Sequence, residues 1–265
     1  MKYLVLTRVA MLNFALNLAK KAGEYLKESF GKELNVEHKG RIDLVTQIDR
    51  NSQDMILDGI EREFPHHSIM AEEGVSKTTG HDYTWFVDPL DGTVNFVHGI
   101  PFFCVSLGVF KRGKPFIGVC YNPMSGDLFS AQYGKGAFRN REKIRVSDTS
   151  LLIDALVVTG FPYSLARLDD SMSRFARILS EVQGIRRFGS AALDLCFVAS
   201  GSFDGFWEVG LHPWDLAGGV VVLLEAGGRV TGLSGEEFDP HHGDILASNG
   251  NIHNDLRRLM QGEPG

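Results

Sequence analysis

The chain has 265 residues, 27 Lys and Arg against 33 Asp and Glu, and a formal net charge of −6. That balance excludes a general nucleic-acid binder, which would carry a surplus of clustered basic side chains. At 43% hydrophobic and 23% charged residues the chain can bury a sizeable core, so disorder is excluded as its main state.

No apolar run approaches the ~18 residues of a membrane span. Val9 to Ala19 has the apolar character of a signal-peptide core, but helical spacing accounts for it better. Val5, Val9, Leu12, Leu16, Ala19, Gly23, Leu26 and Phe30 step by three and four, which predicts an amphipathic helix over 5–30 closed by Gly31. A second helix is expected over 47–63, with Ile48, Ser52, Met55, Gly59 and Ile60 on one face and Phe64-Pro65 as its stop. Short strands follow at 68–71 and 84–87. Runs at 103–111, 115–122 and 127–131, parted by Arg112-Gly113-Lys114 and Asn122-Pro123-Met124-Ser125-Gly126, read as a meander.

Beyond residue 150 strands and helices alternate: strand 154–158, helix 169–183, strand 185–188, helix 190–200, strand 203–208, helix 213–226, strands 228–231 and 244–248, and a closing helix 252–260. The pattern implies a layered α+β or α/β fold in two halves, 1–145 and 146–265. With no flexible linker between them, the halves should pack into a single unit with the site at their interface. Cys104, Cys120 and Cys196 are odd in number and lie in apolar runs, as buried reduced thiols of a cytoplasmic enzyme would.

The chemistry-bearing residues concentrate in residues 72–91, where Glu72, Glu73, Asp82, Asp88 and Asp91 face the single base Lys77. An acidic run is ordinarily a solvated loop. Here Asp88 follows the apolar Trp85-Phe86-Val87 and so sits at the C-terminal mouth of a strand, where open α/β sheets place ligands. Pro89 holds Asp88 extended, and the chain turns through Leu90 to Asp91, Gly92 and Thr93. Asp91-Gly92 could be a plain turn. Two carboxylates three residues apart on such a turn can also share a hard cation, with the intervening carbonyl as a further oxygen ligand. Gly92 allows close backbone approach to a phosphate, and Thr93 opens a short helix whose free N–H groups favour an anion. The spacing fits neither an EF-hand nor a Walker loop.

The second signal is His212-Pro213-Trp214-Asp215-Leu216-Ala217-Gly218-Gly219. Pro213 suits a first helical turn. Asp215 there is either a helix cap or an oxygen ligand supplied from the other half to the ion of Asp88 and Asp91. The pairs His66-His67 and His241-His242 flank turns, and adjacent side chains rarely reach one ion, so they read as loop histidines. Lys39 and Arg41 lie in a polar loop that could attract an anion or simply be solvated. Phe102, Phe103, Phe161 and Phe197 read as core.

These motifs resemble those of the inositol monophosphatase family, within the magnesium-dependent, lithium-sensitive phosphatases. Residues 85–96, Trp-Phe-Val-Asp-Pro-Leu-Asp-Gly-Thr-Val-Asn-Phe, match its first motif, and Trp214 to Gly219, continuing to Glu225-Ala226-Gly227-Gly228, match the second. Ala71-Glu72-Glu73-Gly74 and the segment from Asp43 to Asp49 are similar to its upstream glutamate pair and aspartate segment. Val94 departs from the Thr common there.

The resemblance implies an αβαβα sandwich, a homodimer, two or three Mg²⁺ ions and a small sugar or cyclitol phosphate as substrate. Glu72, Asp88 and the Leu90 carbonyl would hold the first ion; Asp88, Asp91 and Asp215 the second; Glu72 would touch a weaker third. The Gly92 and Thr93 amides would bind phosphate. Glu208, Gly189, Ser190 and Ala191 would face the alcohol, with Arg186 nearby, and Asp49 would support Thr93.

Two metals can neutralise the phosphoryl oxygens, acidify the attacking water and stabilise the departing alkoxide. Thr93 and Glu72 would orient that water, and the ion of Asp91 and Asp215 would serve the leaving group. No Cys, Ser or His is placed for a covalent phosphoenzyme. Inositol 1-phosphate is the expected substrate. The alternatives are fructose 1,6-bisphosphate, alone or in addition, and, from another class, a binding partner in transcription or ribosome assembly with an incidental phosphatase site.

Overall fold

The computed structural model describes residues 2–32, 36–38, 44–74, 76–162 and 165–262. Lys39, Arg41 and Asp43 lie outside the described residues. Helices α1 (Lys2–Ser29) and α2 (Gln47–Glu63) flank the short antiparallel strands β1 (Val36–His38) and β2 (Leu44–Thr46). The buried stripe of α1 runs through Met11, Ala15, Leu18, Ala19, Ala22 and Leu26, rotated slightly from the expected face, with Leu12, Leu16 and Phe30 only half-buried. Its small residues allow the closest approach, and the Tyr121 hydroxyl reaches Glu24 Oε1 at 2.9 Å. The buried face of α2 is Asp49, Ser52, Gln53, Ile56 and Ile60, polar in its first half.

The first sheet has eight strands in the order β10-β9-β8-β7-β6-β5-β3-β4. These are β3 (Ser68–Ala71), β4 (Ser76–Lys77), β5 (Tyr83–Asp91), β6 (Cys104–Lys111), β7 (Lys114–Asn122), β8 (Asp127–Gln132), β9 (Gly136–Arg139) and β10 (Glu142–Ile144), with α3 (Thr93–Val97) between β5 and β6. The meander β6 to β8 stands where its turn residues place it. The edge strands β9 and β10 are too short for an alternation signal. β3 lies parallel to β5 with Ala71 opposite Val87, which delivers Glu72 beside Asp88. The β5–β6 register shifts between Asp88 and Asp91, so Pro89 and Leu90 bulge out between the two aspartates.

The second sheet runs β12-β11-β13-β15-β14, built from β11 (Leu156–Thr159), β12 (Gly184–Arg186), β13 (Gly205–Glu208), β14 (Arg229–Thr231) and β15 (Ile245–Ser248). β11 is parallel to β12 and β13, while β15 is antiparallel to β13 and β14. Among its helices are α4 (Leu168–Leu179), α5 (Ala191–Ala199), α6 (Pro213–Glu225) and α7 (His253–Gln261). Several expected bounds move: Leu152–Asp154 is a 3₁₀ turn ahead of β11, α4 ends at Leu179, the strand expected over 185–188 ends at Arg186, and the one expected from 203 begins at Gly205.

Three cores define the layers. One lies between α1–α2 and the first sheet, a second holds α5–α6 between the sheets, and a third packs α4 and α7 on the second sheet. The result is an αβαβα sandwich. Helix α6 presses on β6 and β7 so closely that a Cβ on Gly118 would stand 2.3 Å from the Gly218 carbonyl oxygen. That contact fixes the height of Asp215 over the first sheet.

Candidate active site

The apolar run Trp85-Phe86-Val87 is fully buried and carries the chain to Asp88, itself 2% exposed. The Leu90 amide donates to Asp88 Oδ1 at 3.0 Å, which ties the bulge, and Ser52 Oγ donates to the Pro89 carbonyl at 3.0 Å. Gln53 grips the neighbouring turn twice, donating from Nε2 to the Glu73 carbonyl at 3.2 Å and accepting the Glu73 amide at 2.8 Å. The buried polar half of α2 therefore holds both acidic segments.

At the end of the bulge Gly92 takes φ +97°, a left-handed conformation that suits glycine, and α3 begins at Thr93. Thr93 Oγ1 lies 2.9 Å from Asp49 Oδ1 and 3.0 Å from the Leu90 carbonyl. Asp49 is fixed in turn by the Thr46 amide at 2.9 Å and hydroxyl at 2.5 Å in a capping box. Asn95 Nδ2 donates to the Phe188 carbonyl at 2.7 Å and the Phe102 carbonyl at 2.8 Å, joining α3 to the segment before α5.

Asp91 also reaches across. Its Oδ2 accepts the Ser190 hydroxyl at 2.5 Å and the Ala192 amide at 2.9 Å at the start of α5. Asp215 stands in the first turn of α6, with Oδ2 accepting the His212 amide at 2.7 Å. The cap and the site position open to it in the sequence prove compatible: one oxygen caps the helix while the side chain lines the pocket.

Glu72, Asp88, Leu90, Asp91, Gly92, Thr93, Ser190, Ala191, Glu208 and Asp215 line one pocket between the sheets. Asp49 lies behind it against Thr93. Arg186 does not line it, and Nη1 of its guanidinium donates to the Ile185 carbonyl at 3.1 Å. Arg187 stands on the pocket instead, because the chain leaves β12 after Arg186. Val94, Phe161 and Trp214 line it as well, so Phe161 is a wall residue rather than core.

Burial raises the Asp88 carboxyl well above its ordinary range, and repulsion from Glu72, Asp91 and Asp215 adds to it. Burial pushes Asp91 up to about 6 against the pull of its Ser190 and Ala192 donors, and burial with Glu72 raises Asp215. Glu208 rises to about 8, mainly by burial, with Arg187 opposing. Such mutually repelling buried oxygens are the donor chemistry a hard divalent cation fits. Among the described residues no three His, Cys, Asp or Glu side chains form a ready-made metal cage, so the carboxylates line the pocket without closing on a point.

The histidine pairs lie elsewhere. His67 is buried, accepts the Trp85 indole N–H at 2.9 Å and stacks on Phe64 at 4.8 Å, while His241 meets the edge of Phe86 at 6.0 Å. Cys104, Cys120 and Cys196 are free and buried.

Sequence reasoning passed over Gln53, Asn95 and Arg187, and gave Ser52 only a place on a helix face. For the two α2 residues a signal existed: polar side chains on the inward stripe of an amphipathic helix.

The family profile described as the inositol monophosphatase family matches residues 8–263. The tomato (Solanum lycopersicum) protein named inositol monophosphatase 2 is 43% identical over 249 residues, covering 91% of this chain and 94% of its own. A protein of Aquifex aeolicus named fructose-1,6-bisphosphatase/inositol-1-monophosphatase is 41% identical over 264 residues, covering 98% and 96%. The crystal structure of extragenic suppressor protein suhB from Bartonella henselae is 40% identical, with a TM-score of 0.92 over 95% of this chain and 98% of that one. With fold, pocket and sequence in agreement along nearly the whole chain, the protein belongs to the inositol monophosphatase family of metal-dependent phosphoric monoester hydrolases.

Proposed function

We propose that this protein hydrolyses phosphate monoesters of small polyols, inositol 1-phosphate first among them, with Mg²⁺ held by Glu72, Asp88, Asp91, Asp215 and the Leu90 carbonyl. The observation that carries the reading is the meeting of these carboxylates, from the ends of β3 and β5 and the start of α6, in one pocket beside the Gly92–Thr93 turn. When bound, two or three such ions neutralise the phosphoryl oxygens, acidify a water and steady the departing oxygen.

The chain's own groups do the rest. The Gly92 and Thr93 amides bind the phosphate. The Thr93 hydroxyl, steered by Asp49, orients the attacking water together with Glu72. Glu208, Ser190 and Ala191 face the alcohol. Ser190, the one serine among the described residues lining the pocket, donates its hydroxyl to Asp91 at 2.5 Å, and the hydrolysis is read as direct attack by water. The same reading carries lithium inhibition and a cytoplasmic setting, which suits the three free thiols. It also carries a homodimer.

A fructose-1,6-bisphosphatase or dual activity is the second reading, supported by the name of the Aquifex aeolicus relative. Phosphate release with Mg²⁺ from inositol 1-phosphate, fructose 1,6-bisphosphate and 3′-phosphoadenosine 5′-phosphate, side by side, tests both. Turnover fastest on inositol 1-phosphate is expected, and no Mg²⁺-dependent release from any of the three overturns the proposal.

A further inference from the structure

Ser190 borders the pocket, yet it is 1% exposed and its hydroxyl is turned to Asp91. It is the N-cap residue of α5, where a serine oxygen ordinarily accepts an amide of the helix's own first turn. Here the side chain makes no such cap. The hydroxyl donates to Asp91 Oδ2 at 2.5 Å, and the Ala192 amide, which a capping serine would take, goes to the same oxygen at 2.9 Å. Asp91 therefore caps α5 from the end of β5, across 101 positions of sequence. Cys104, opposite Asp91 in the β5–β6 pair, adds a weaker third donor to Oδ2 at 3.7 Å and lies 3.9 Å from Ser190 Oγ.

A serine cap contributes typically ~1 kcal/mol by itself, so α5 needs no carboxylate from β5 to begin. What the exchange of partners secures is the carboxylate. The segment that carries Ser190 is itself tied down: Asn95 Nδ2 donates to the Phe188 carbonyl at 2.7 Å, and a Cβ on Gly92 would stand 3.3 Å from the Gly189 carbonyl oxygen. Ser190 is thus a fixed donor, held against the same turn that presents Asp91. Three donors on one oxygen fix the rotation of the carboxylate and leave Oδ1 as the oxygen it can offer to an ion.

We propose that Ser190 is a positioning residue for Asp91: with the Ala192 amide it holds Oδ2, so that Oδ1 is set for the ion Asp91 shares with Asp88 and Asp215. The proposal rests on the metal-dependent phosphomonoesterase reading and refines it at one residue. A hydroxyl has a single proton, and one given to Asp91 is not available to the alcohol of the substrate. The serine acts before any ester arrives, because a ligand already oriented loses less freedom when the ion binds. Partners that orient a metal ligand in this way commonly carry about tenfold or more in metal affinity.

Calorimetric titration of Mg²⁺ alone into the substrate-free protein tests this in wild type, Ser190→Ala and Ser190→Thr, beside kinetics on inositol 1-phosphate over a range of Mg²⁺. Ser190→Ala should bind Mg²⁺ about tenfold more weakly and need correspondingly more of it for half-maximal turnover. Its KM for the ester at saturating Mg²⁺ should stay within about twofold of wild type. Ser190→Thr keeps the hydroxyl and should recover most of the affinity. A raised KM with Mg²⁺ affinity unchanged would place the hydroxyl on the alcohol and overturn the proposal. A lower melting temperature with Mg²⁺ affinity unchanged would leave Ser190 a purely structural part and overturn it too, as would a threonine variant no better than alanine. Each of those results leaves the phosphatase reading standing, whereas wild type with neither Mg²⁺ binding nor Mg²⁺-dependent phosphate release overturns that reading itself.

Discussion

The Thr93 hydroxyl oxygen stands 2.9 Å from Asp49 Oδ1, linking the first turn of α3 to the first turn of α2 across 44 positions of sequence. A hydroxyl has one proton to give. Donated to Asp49, it leaves the oxygen lone pairs for the proton of a pocket water, while the Leu90 carbonyl lies 3.0 Å away. Thr93→Val should therefore lower kcat by about ten- to a hundredfold with little change in KM. Asp49→Asn should lower kcat too, and should also reduce the melting temperature, because it weakens the capping box with Thr46, typically worth ~1 kcal/mol. Unchanged kcat in Thr93→Val would remove the residue from the water-orienting role.

Asp215 separates structure from chemistry more cleanly. The asparagine oxygen of Asp215→Asn can still accept the His212 amide, now at 2.7 Å, so the cap and the fold should persist. On the proposed assignment turnover should fall by several orders of magnitude, because one negative ligand of the leaving-group ion would be lost. The protein without metal should melt at or above the wild-type temperature, since a buried carboxylate raised by burial and by Glu72 has been neutralised. Mg²⁺ should raise the melting temperature of wild type more than that of the variant. Near-normal turnover, or equal Mg²⁺ stabilisation, would sink the assignment.

What the sequence made legible follows from which signals are local. Asp88-Pro89-Leu90-Asp91-Gly92-Thr93 announces its turn because proline, glycine and the preceding apolar strand each dictate backbone shape over one or two residues. The approach of Asp215 to that turn was readable only as a need for more oxygen ligands, since its position depends on how α6 lies against β6 and β7. Arg187 illustrates the limit. Arg186 and Arg187 are alike in composition, and the end of β12 between them decides which faces the pocket. The α1 face was misplaced for a related reason: apolar spacing fixes a stripe to within about one residue, and the small Ala15, Ala19 and Ala22 set the side that approaches the sheet.

Acid sensitivity should come in part from His253, which is fully buried between Thr231 Oγ1 at 3.0 Å and Ser248 Oγ at 2.9 Å. Burial pushes it down to about 4, with Arg229 and Arg257 adding to the effect. Because the folded value lies below the unfolded one, the unfolded chain binds the proton first as pH falls. The stabilising contribution is whole above pH ~6.5 and lost progressively toward pH ~4, by at most about 3 kcal/mol. His253→Asn should melt lower than wild type at pH 7.5 and show a shallower decline between pH 6.5 and 4. Parallel decline in the two proteins would show that His253 stays neutral in both states.

The contact of α6 with the first sheet gives a test of how closely activity depends on packing. Gly118→Ala places a methyl 2.3 Å from the Gly218 carbonyl oxygen and 2.8 Å from the Val221 Cβ, both in α6, and neither backbone nor branched side chain can give way cheaply. The helix must lift or tilt, at a cost of about 1–3 kcal/mol. Asp215 in its first turn moves with it, away from the aspartates of β5. Turnover at saturating substrate should then fall more than the stability loss alone accounts for, since at assay temperature nearly all molecules remain folded. High Mg²⁺ should recover part of the loss by drawing the carboxylates back toward a shared ion. A variant that melts lower yet turns over normally would show that α6 can shift by that distance without disturbing Asp215.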